Sequence, residues 1–383
     1  MEGLEANMSQ LEPTVTEQRR LTRNSIYRYI LESESPVSKQ QMAQNLGYSL
    51  PTIHQNIQEL LNADLIRVGE VQRSTGGRPP VGYTIVEDAR YAIGVAVSSN
   101  HLRFLVSDLK RQQIAYKSIR LEDEEHVDTR IVKETEIFIK ENKIEPEKIL
   151  GVGITIPGIF DFENDRIIIS PTFHMPDFSL KRIQEDCRFP VYIVNDSKSA
   201  GIAELLNRPH AEQKKPFAYL LLENGVGGAI AMEGQILSGD NLRSAEFGHM
   251  CVEPGGLECN CGRKGCLEAY CSAFRFTRDI GLTTEEFFDG LQEGKKELVD
   301  LWEDVLVHMA IGILNIRMCY DSEVILGGFV AENMAPYLEH LRELVAERDP
   351  FSENGDYVSI GKLQRAGMVG AAWHFIGQFV EEI

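Results

Sequence analysis

The sequence has no surplus of basic charge. Its 39 Lys and Arg stand against 58 Asp and Glu, a formal net charge of −19, which for the chain as a whole argues against nucleic-acid binding. It also has no long apolar run. Nothing approaches the ~18–20 uninterrupted apolar residues of a membrane span, and the opening MEGLEANMSQLEPTVTEQRR lacks the apolar core of a secretory signal. A cytoplasmic protein with no membrane partner is therefore expected. Cysteine is sparse. Seven in 383 residues do not make a disulfide scaffold, and their clustering points to a metal instead.

What remains is ordinary globular composition, 43% hydrophobic and 25% charged, in a chain long enough for two or three compact units. The acid is unevenly spread. Residues 1–82 hold eight basic side chains against nine acidic ones, so nearly all the excess lies beyond them. A near-neutral head on an acidic body suits local DNA contact by the head alone.

Residues 1–17 are polar with little periodicity and read as a flexible arm. Within residues 18–72, Leu21, Ile26, Tyr29 and Ile30 fit one helix face, which Pro36 ends. Ser38 caps a short second helix, closed by Gly47. A third helix has Pro51 near its start and Ile53, Ile57, Leu60 and Leu61 on its apolar face. The β-prone stretches LIRVGEVQRS and VGYTIV complete a winged helix-turn-helix, mainly α. On the third helix Thr52, Gln55, Asn56 and Asn62 form a polar row, with Ser49 in the preceding turn. Short hydroxyl and amide side chains there reach base edges or phosphates in a major groove. With so few basic residues, a dimer on two half-sites of a palindromic operator is expected. Residues 73–85 form a Gly/Arg/Pro linker and a return strand. Arg78, between Gly77 and Pro79, suits a narrow minor groove.

From residue 86 to 383 the pattern is α/β. YAIGVAVSS, LRFLVSDL and QIAYKSIRL read as strands, followed by a helix over 129–142 and a buried strand ILGVGITIPG. A second β-rich start, AYLLLENGVGGAIAMEGQIL, leads through helices to SEVILGGFV. This repetition suggests a duplicated, two-lobed fold with a cleft between lobes. Lobe 1 is expected over about 86–200 with a C-terminal helix at about 365–383, and lobe 2 over about 201–364.

Cys259, Cys261 and Cys266 place three thiolates within eight residues, with Gly262 and Gly265 between them, and His249 lies ten residues upstream. A Cys3His set favours zinc over hard cations and leaves no open position for a catalytic water, so the ion is expected to be structural.

Glu246-Phe247-Gly248-His249 followed by Cys259-x-Cys261-Gly262-x-x-Gly265-Cys266-x-Glu268 resembles the signature of the ROK family, named for repressors, open reading frames and kinases. The resemblance extends through Pro157-Gly158, Val194-Asn195-Asp196 and Gly327-Gly328. The head, with Gly76-Gly77-Arg78-Pro79, resembles the DNA-binding part of the family's xylose and N-acetylglucosamine repressors. The resemblance implies an actin/hexokinase-like body, a duplicated ribonuclease H-like fold with a zinc loop. It also implies a monosaccharide or sugar phosphate in the cleft, contacted by Asn195, Asp196, Glu246, His249 and Glu268. Asp196 would stand at the kinases' base, and His249 would touch sugar with one ring nitrogen and zinc with the other.

The sequence departs from the kinases where phosphate chemistry is done. Ala96 stands where their first loop has a metal-positioning Asp, Ser98 and Ser99 replace glycines, and Glu223 opens the second phosphate loop. Losing both positioning and charge neutralisation removes phosphoryl transfer. The resulting expectation is a non-enzymatic, sugar-controlled repressor of carbohydrate genes, a homodimer or dimer of dimers, nucleoid-associated when on DNA. The alternatives are an ATP-dependent sugar kinase with an appended DNA-binding head, and a regulator that answers to a protein partner.

Overall fold

The first described residue already acts as a helix cap. The computed structural model describes residues 14–69, 81–98, 100–121, 126–161, 164–169, 178–351 and 354–383. Thr14 Oγ1 accepts from Glu17 N at 3.2 Å, and the Glu17 carboxylate accepts from Thr14 N at 3.3 Å. This reciprocal cap starts helix α1 at Val15–Leu31. The expected arm therefore ends earlier, because residues 15–17 are helical. Residues 1–13 lie outside the described residues, as does Arg78.

Strand β1 (Val37–Ser38), α2 (Lys39–Leu46), α3 (Leu50–Asn62), β2 (Ile66–Val68) and β3 (Gly82–Ile85) follow. Ser38 and Ser49 cap the two helices, and Gly47 ends α2 at φ +73°. The sheet has order β1-β3-β2, all antiparallel. β1, not foreseen from the sequence, is the strand just ahead of the Ser38 cap. Ile26, Ile30, Met42, Ile53, Ile57 and Ile85 are fully or almost fully buried, each worth ~1.5–3 kcal/mol of apolar burial.

The chain divides into two compact units. The smaller takes in the winged helix up to Ala89 together with Gly377–Ile383. Within it, Arg23 Nε donates to Ile383 O at 2.8 Å, Asn24 Nδ2 donates to Glu381 O at 2.6 Å, and Arg28 pairs with Glu381. The sequence placed this terminal stretch in lobe 1 throughout; its last residues belong instead with α1.

The larger unit, Arg90–Ile376, holds two sheets of one design. Strands β4 (Tyr91–Val97), β5 (His101–Asp108) and β6 (Gln113–Arg120) form an antiparallel meander. Helix α4 (Val127–Glu141) leads to β7 (Ile149–Ile156), then a small hairpin of β8 (Ile159–Asp161) and β9 (Arg166–Ile169), α5 (Leu180–Asp186), β10 (Val191–Asn195) and α6 (Asp196–Asn207). The order is β10-β7-β4-β5-β6, with β10, β7 and β4 parallel.

The second sheet repeats the plan. A meander of β11 (Phe217–Leu222), β12 (Val226–Met232) and β13 (Gln235–Ile236) precedes α7 (Leu267–Cys271), α8 (Phe274–Thr277), α9 (Thr284–Gln292) and α10 (Lys296–Tyr320). Then come β14 (Glu323–Gly327), α11 (Leu338–Ala346), β15 (Val358–Ile360) and α12 (Ala366–Glu382). The order β13-β12-β11-β14-β15, with β11, β14 and β15 parallel, matches the first sheet strand for strand. Each sheet has its own apolar core. On the first, α12 lies so close that a Cβ at Gly153 would fall inside the carbonyl of Ala371. Among the described residues, no helix is long and apolar enough to cross a membrane.

Candidate functional site

Parallel strands gather ligands at their carboxyl ends. Here those ends deliver Asn195-Asp196 from β10, Glu223 just after β11 and Gly327-Gly328 from β14. Asn195 caps α6: its Oδ1 accepts from Ser197 N at 3.0 Å and Lys198 N at 3.2 Å, and its Nδ2 donates to Gly158 O at 3.0 Å. Asp196 Oδ1 also accepts from Ser197 N, at 2.8 Å.

Asp196, Glu246, His249 and Glu268 share one electrostatic neighbourhood. Burial, with the charge of Glu246 added, pushes Asp196 up to about 6. Burial likewise raises Glu246, opposed by Lys198 and His249. Glu223 is pushed up to about 8 by burial and by the charge of Asp196, with Arg103 pulling the other way. The Glu246 carboxylate makes no hydrogen bond among the described residues, and Asp196 accepts only through Oδ1. Glu268 is otherwise engaged. Its Oε2 accepts from Val226 N at 3.0 Å, and Cys259 Sγ lies 3.6 Å from its Oε1.

Lys198 was not foreseen. It is buried, and its Nζ donates to Gly228 O at 2.6 Å and to Ser244 O. Burial lowers it to about 8, while Glu246 and Asp196 hold it up. It pins the segment that carries Glu246 to the helix that carries Asp196. A lysine two positions after Asp196, among small residues on α6, was the available signal.

The cysteine-bearing loop folds as its glycines require. Gly262 and Gly265 sit at φ +82° and +81°, and a Cβ at Gly265 would collide with Glu253 O. Cys259 N donates to Arg263 O and Gly265 N to Leu257 O, each at 2.8 Å. One ligand atom from each of His249, Cys259, Cys261 and Cys266 lies within 4.8 Å of all the others. Cys261 and Cys266 Sγ are 3.7 Å apart, and His249 Nδ1 is 3.9 Å from Cys259 Sγ. Tetrahedral Zn–S bonds of ~2.3 Å put sulfurs about 3.8 Å apart, so the cluster fits a zinc ion. Nδ1 is the ring nitrogen of His249 that faces Cys259 Sγ. Beyond the loop, Tyr270 OH accepts from Leu257 N at 2.9 Å, and its ring stacks on His308 at 3.7 Å.

The positions compared above with the kinases' phosphate loops are engaged by the chain itself. Ala96 pairs across the sheet with Arg103. Ser98 N donates to His101 O, and Glu223 N to Gly225 O, both at 3.0 Å. Ser99 lies outside the described residues.

On the winged helix, the expected polar row is partly corrected. Asn56 is buried, and its Nδ2 donates to Thr52 O at 2.9 Å. It lies a helical turn from Ile53 and Leu60, on their face. Ser49 Oγ is held at the α3 cap, 2.8 Å from Thr52 Oγ1. Gln55 is exposed, alongside His54 and Gln58. Lys39 Nζ lies 2.6 Å from His54 Nδ1, a basic spot that periodicity alone did not reveal.

The model of the ROK family matches residues 92–378. The chain belongs to the ROK family. It is 25% identical over 324 residues to the xylose repressor of Bacillus spizizenii, covering 82% of this chain and 84% of that one. Among solved structures, a ROK family transcriptional regulator homologous to E. coli MLC aligns over 95% of this chain and 97% of its own, with a TM-score of 0.73 at 20% identity. The ROK hexokinase of Thermus thermophilus aligns over 74% of this chain and 96% of its own, with a TM-score of 0.62 at 25% identity. The ROK chain thus has relatives in both repressors and kinases.

Proposed function

We propose that this ROK protein is a sequence-specific DNA-binding repressor of carbohydrate genes, controlled by a sugar in the cleft beside Asp196 and Glu246. The observation that carries the reading is the joining, in one chain, of a winged helix with an exposed amide row to a ROK body. The likeness to a xylose repressor over most of both chains supports it. A structural zinc ion would be held by His249, Cys259, Cys261 and Cys266. It supplies charge that keeps three thiolates together and fixes the imidazole ring. Asp196 and Glu246 would accept from sugar hydroxyls, His249 Nε2 would reach another, and Asn195 and Glu268 would hold the frame. A cytoplasmic homodimer on a palindromic operator follows from the same reading.

The test is selection of an operator from random-sequence DNA by the full chain, followed by titration. Gln55→Ala is expected to weaken operator binding by ~1–3 kcal/mol, as loss of a base contact does, and binding to random DNA by much less. Arg78→Ala should act mainly at A·T-rich flanks. Failure to enrich any sequence would remove the repressor reading.

The kinase relatives give the second reading a specific basis. Against it stand Ala96 in place of an acid and the self-bonded amides of Ser98 and Glu223. No sugar phosphorylation with ATP and Mg²⁺ is expected in a coupled assay across a monosaccharide panel. Turnover above background that vanishes in Asp196→Asn would restore the kinase.

A further inference from the structure

The exposed side of α3 has two unlike flanks. His54, Gln55, Gln58 and Glu59 are exposed along it, opposite the buried Ile53, Ile57 and Leu60. On one flank, Glu59 accepts from Arg23 of α1 at 2.8 Å and from Gln55 Nε2 at 3.2 Å. The acid of this surface is thus engaged toward α1. His54 lies five positions earlier, about 140° round the helix, beside Lys39, the first residue of α2. Lys39 Nζ is 2.6 Å from His54 Nδ1 and 5.5 Å from the centre of the Tyr83 ring, a contact that steadies the ammonium. A lysine ammonium has three hydrogens and no acceptor, so Nδ1 must accept and the ring hydrogen sits on Nε2. The pair therefore presents donors only: Nε2–H of His54 and the remaining N–H bonds of Lys39.

We infer that Lys39 and His54 together read a guanine in the major groove of the operator, an assignment that rests on the DNA-binding role proposed above. Guanine shows two neighbouring acceptors there, N7 and O6. Adenine sets a donor beside its N7, cytosine shows a donor, and thymine offers one acceptor beside a methyl group. A pair that can only donate matches guanine best. On adenine or cytosine it would leave one N–H facing another, and a donor desolvated without a partner is unfavourable. Two elements of the motif meet at this point, the first turn of α2 and the second turn of α3. Held by Lys39, the imidazole enters the groove with its tautomer and direction already set, so little freedom is lost on binding.

The experiment starts from an operator selected out of random-sequence DNA by the full chain. Its guanines are replaced one at a time by 7-deazaguanine, which lacks N7, or by inosine, which keeps both N7 and O6. At one guanine the 7-deaza change is expected to weaken binding by about fivefold or more, and inosine to leave it nearly unchanged. His54→Ala and Lys39→Ala should each weaken operator binding by a similar factor and lose most of the 7-deaza effect. Neither side chain is buried, so the melting temperature should hold, and binding to random DNA should fall far less. Variants that lose equally on operator and random DNA, or that keep the full 7-deaza penalty, overturn the inference and leave the repressor reading standing. An operator in which no guanine responds to the 7-deaza change overturns it as well. If the full chain enriches no sequence, the repressor reading falls and takes this assignment with it.

Discussion

Chelation of zinc, or Cys261→Ser, is expected to unfold the loop over residues 249–268 and to cost several kcal/mol of local stability. Zinc-finger peptides bind structural zinc with apparent energies of ~10–16 kcal/mol, and removing one ligand forfeits a substantial share. Little apolar burial holds this loop. Most residues from 253 to 264 are exposed, with Cys259 the buried exception, so a bound ion would stand in for an apolar core. Burial of Cys259 raises its thiol well above the usual range, a penalty that a bound cation reverses by holding the thiolate. Elemental analysis should find about one zinc per chain, and hydrogen exchange over 251–266 should accelerate after chelation. Protein that carries no zinc, yet melts and exchanges unchanged with chelator, would remove the metal assignment.

Glu246→Ala is expected to abolish the response of operator binding to sugar while leaving folding and operator affinity almost unchanged. Its carboxylate makes no hydrogen bond among the described residues, so truncation would remove the proposed sugar contact and little internal structure. Coupling between two sites is typically ~1–3 kcal/mol, a change of about 5- to 150-fold in operator affinity on adding sugar. Glu268→Ala should also abolish the response, and in addition lower the melting temperature, because Glu268 ties Val226 to the zinc loop. Operator titration with and without the sugar, for wild type and both variants, reads this out. A Glu246→Ala protein that still responds fully places the effector elsewhere.

The parts legible in the sequence were those whose partners lie close along the chain. The four residues of the candidate metal cluster fall within eighteen positions, from His249 to Cys266, and the caps at Ser38 and Gly47 act within one turn. The strands of both meanders show as compact β-rich runs. Asn56 was misplaced for a different reason. Residue type suggested the surface, whereas the spacing from Ile53 to Leu60 puts it inside, where its amide finds the Thr52 carbonyl. Lys198 was missed because its two carbonyl partners, Gly228 and Ser244, are thirty and forty-six residues away. No local pattern announces a buried lysine made tolerable by distant acceptors. The clasp between α1 and the chain's last residues spans 360 positions from Arg23 to Ile383, beyond the reach of any periodicity.

That clasp sets an order of events during synthesis. The winged helix leaves the ribosome before Gly377–Ile383, which completes its unit and follows about 290 residues after Ala89. At about 5–20 residues per second, the interval is roughly a quarter of a minute to a minute. For that time Arg23, Asn24 and Arg28 are without the contacts that Ile383 and Glu381 will give them, though Arg23 can already pair with Glu59. A nascent or prematurely released chain therefore carries an unfinished head, and truncated translation products should compete poorly with the full-length protein for DNA.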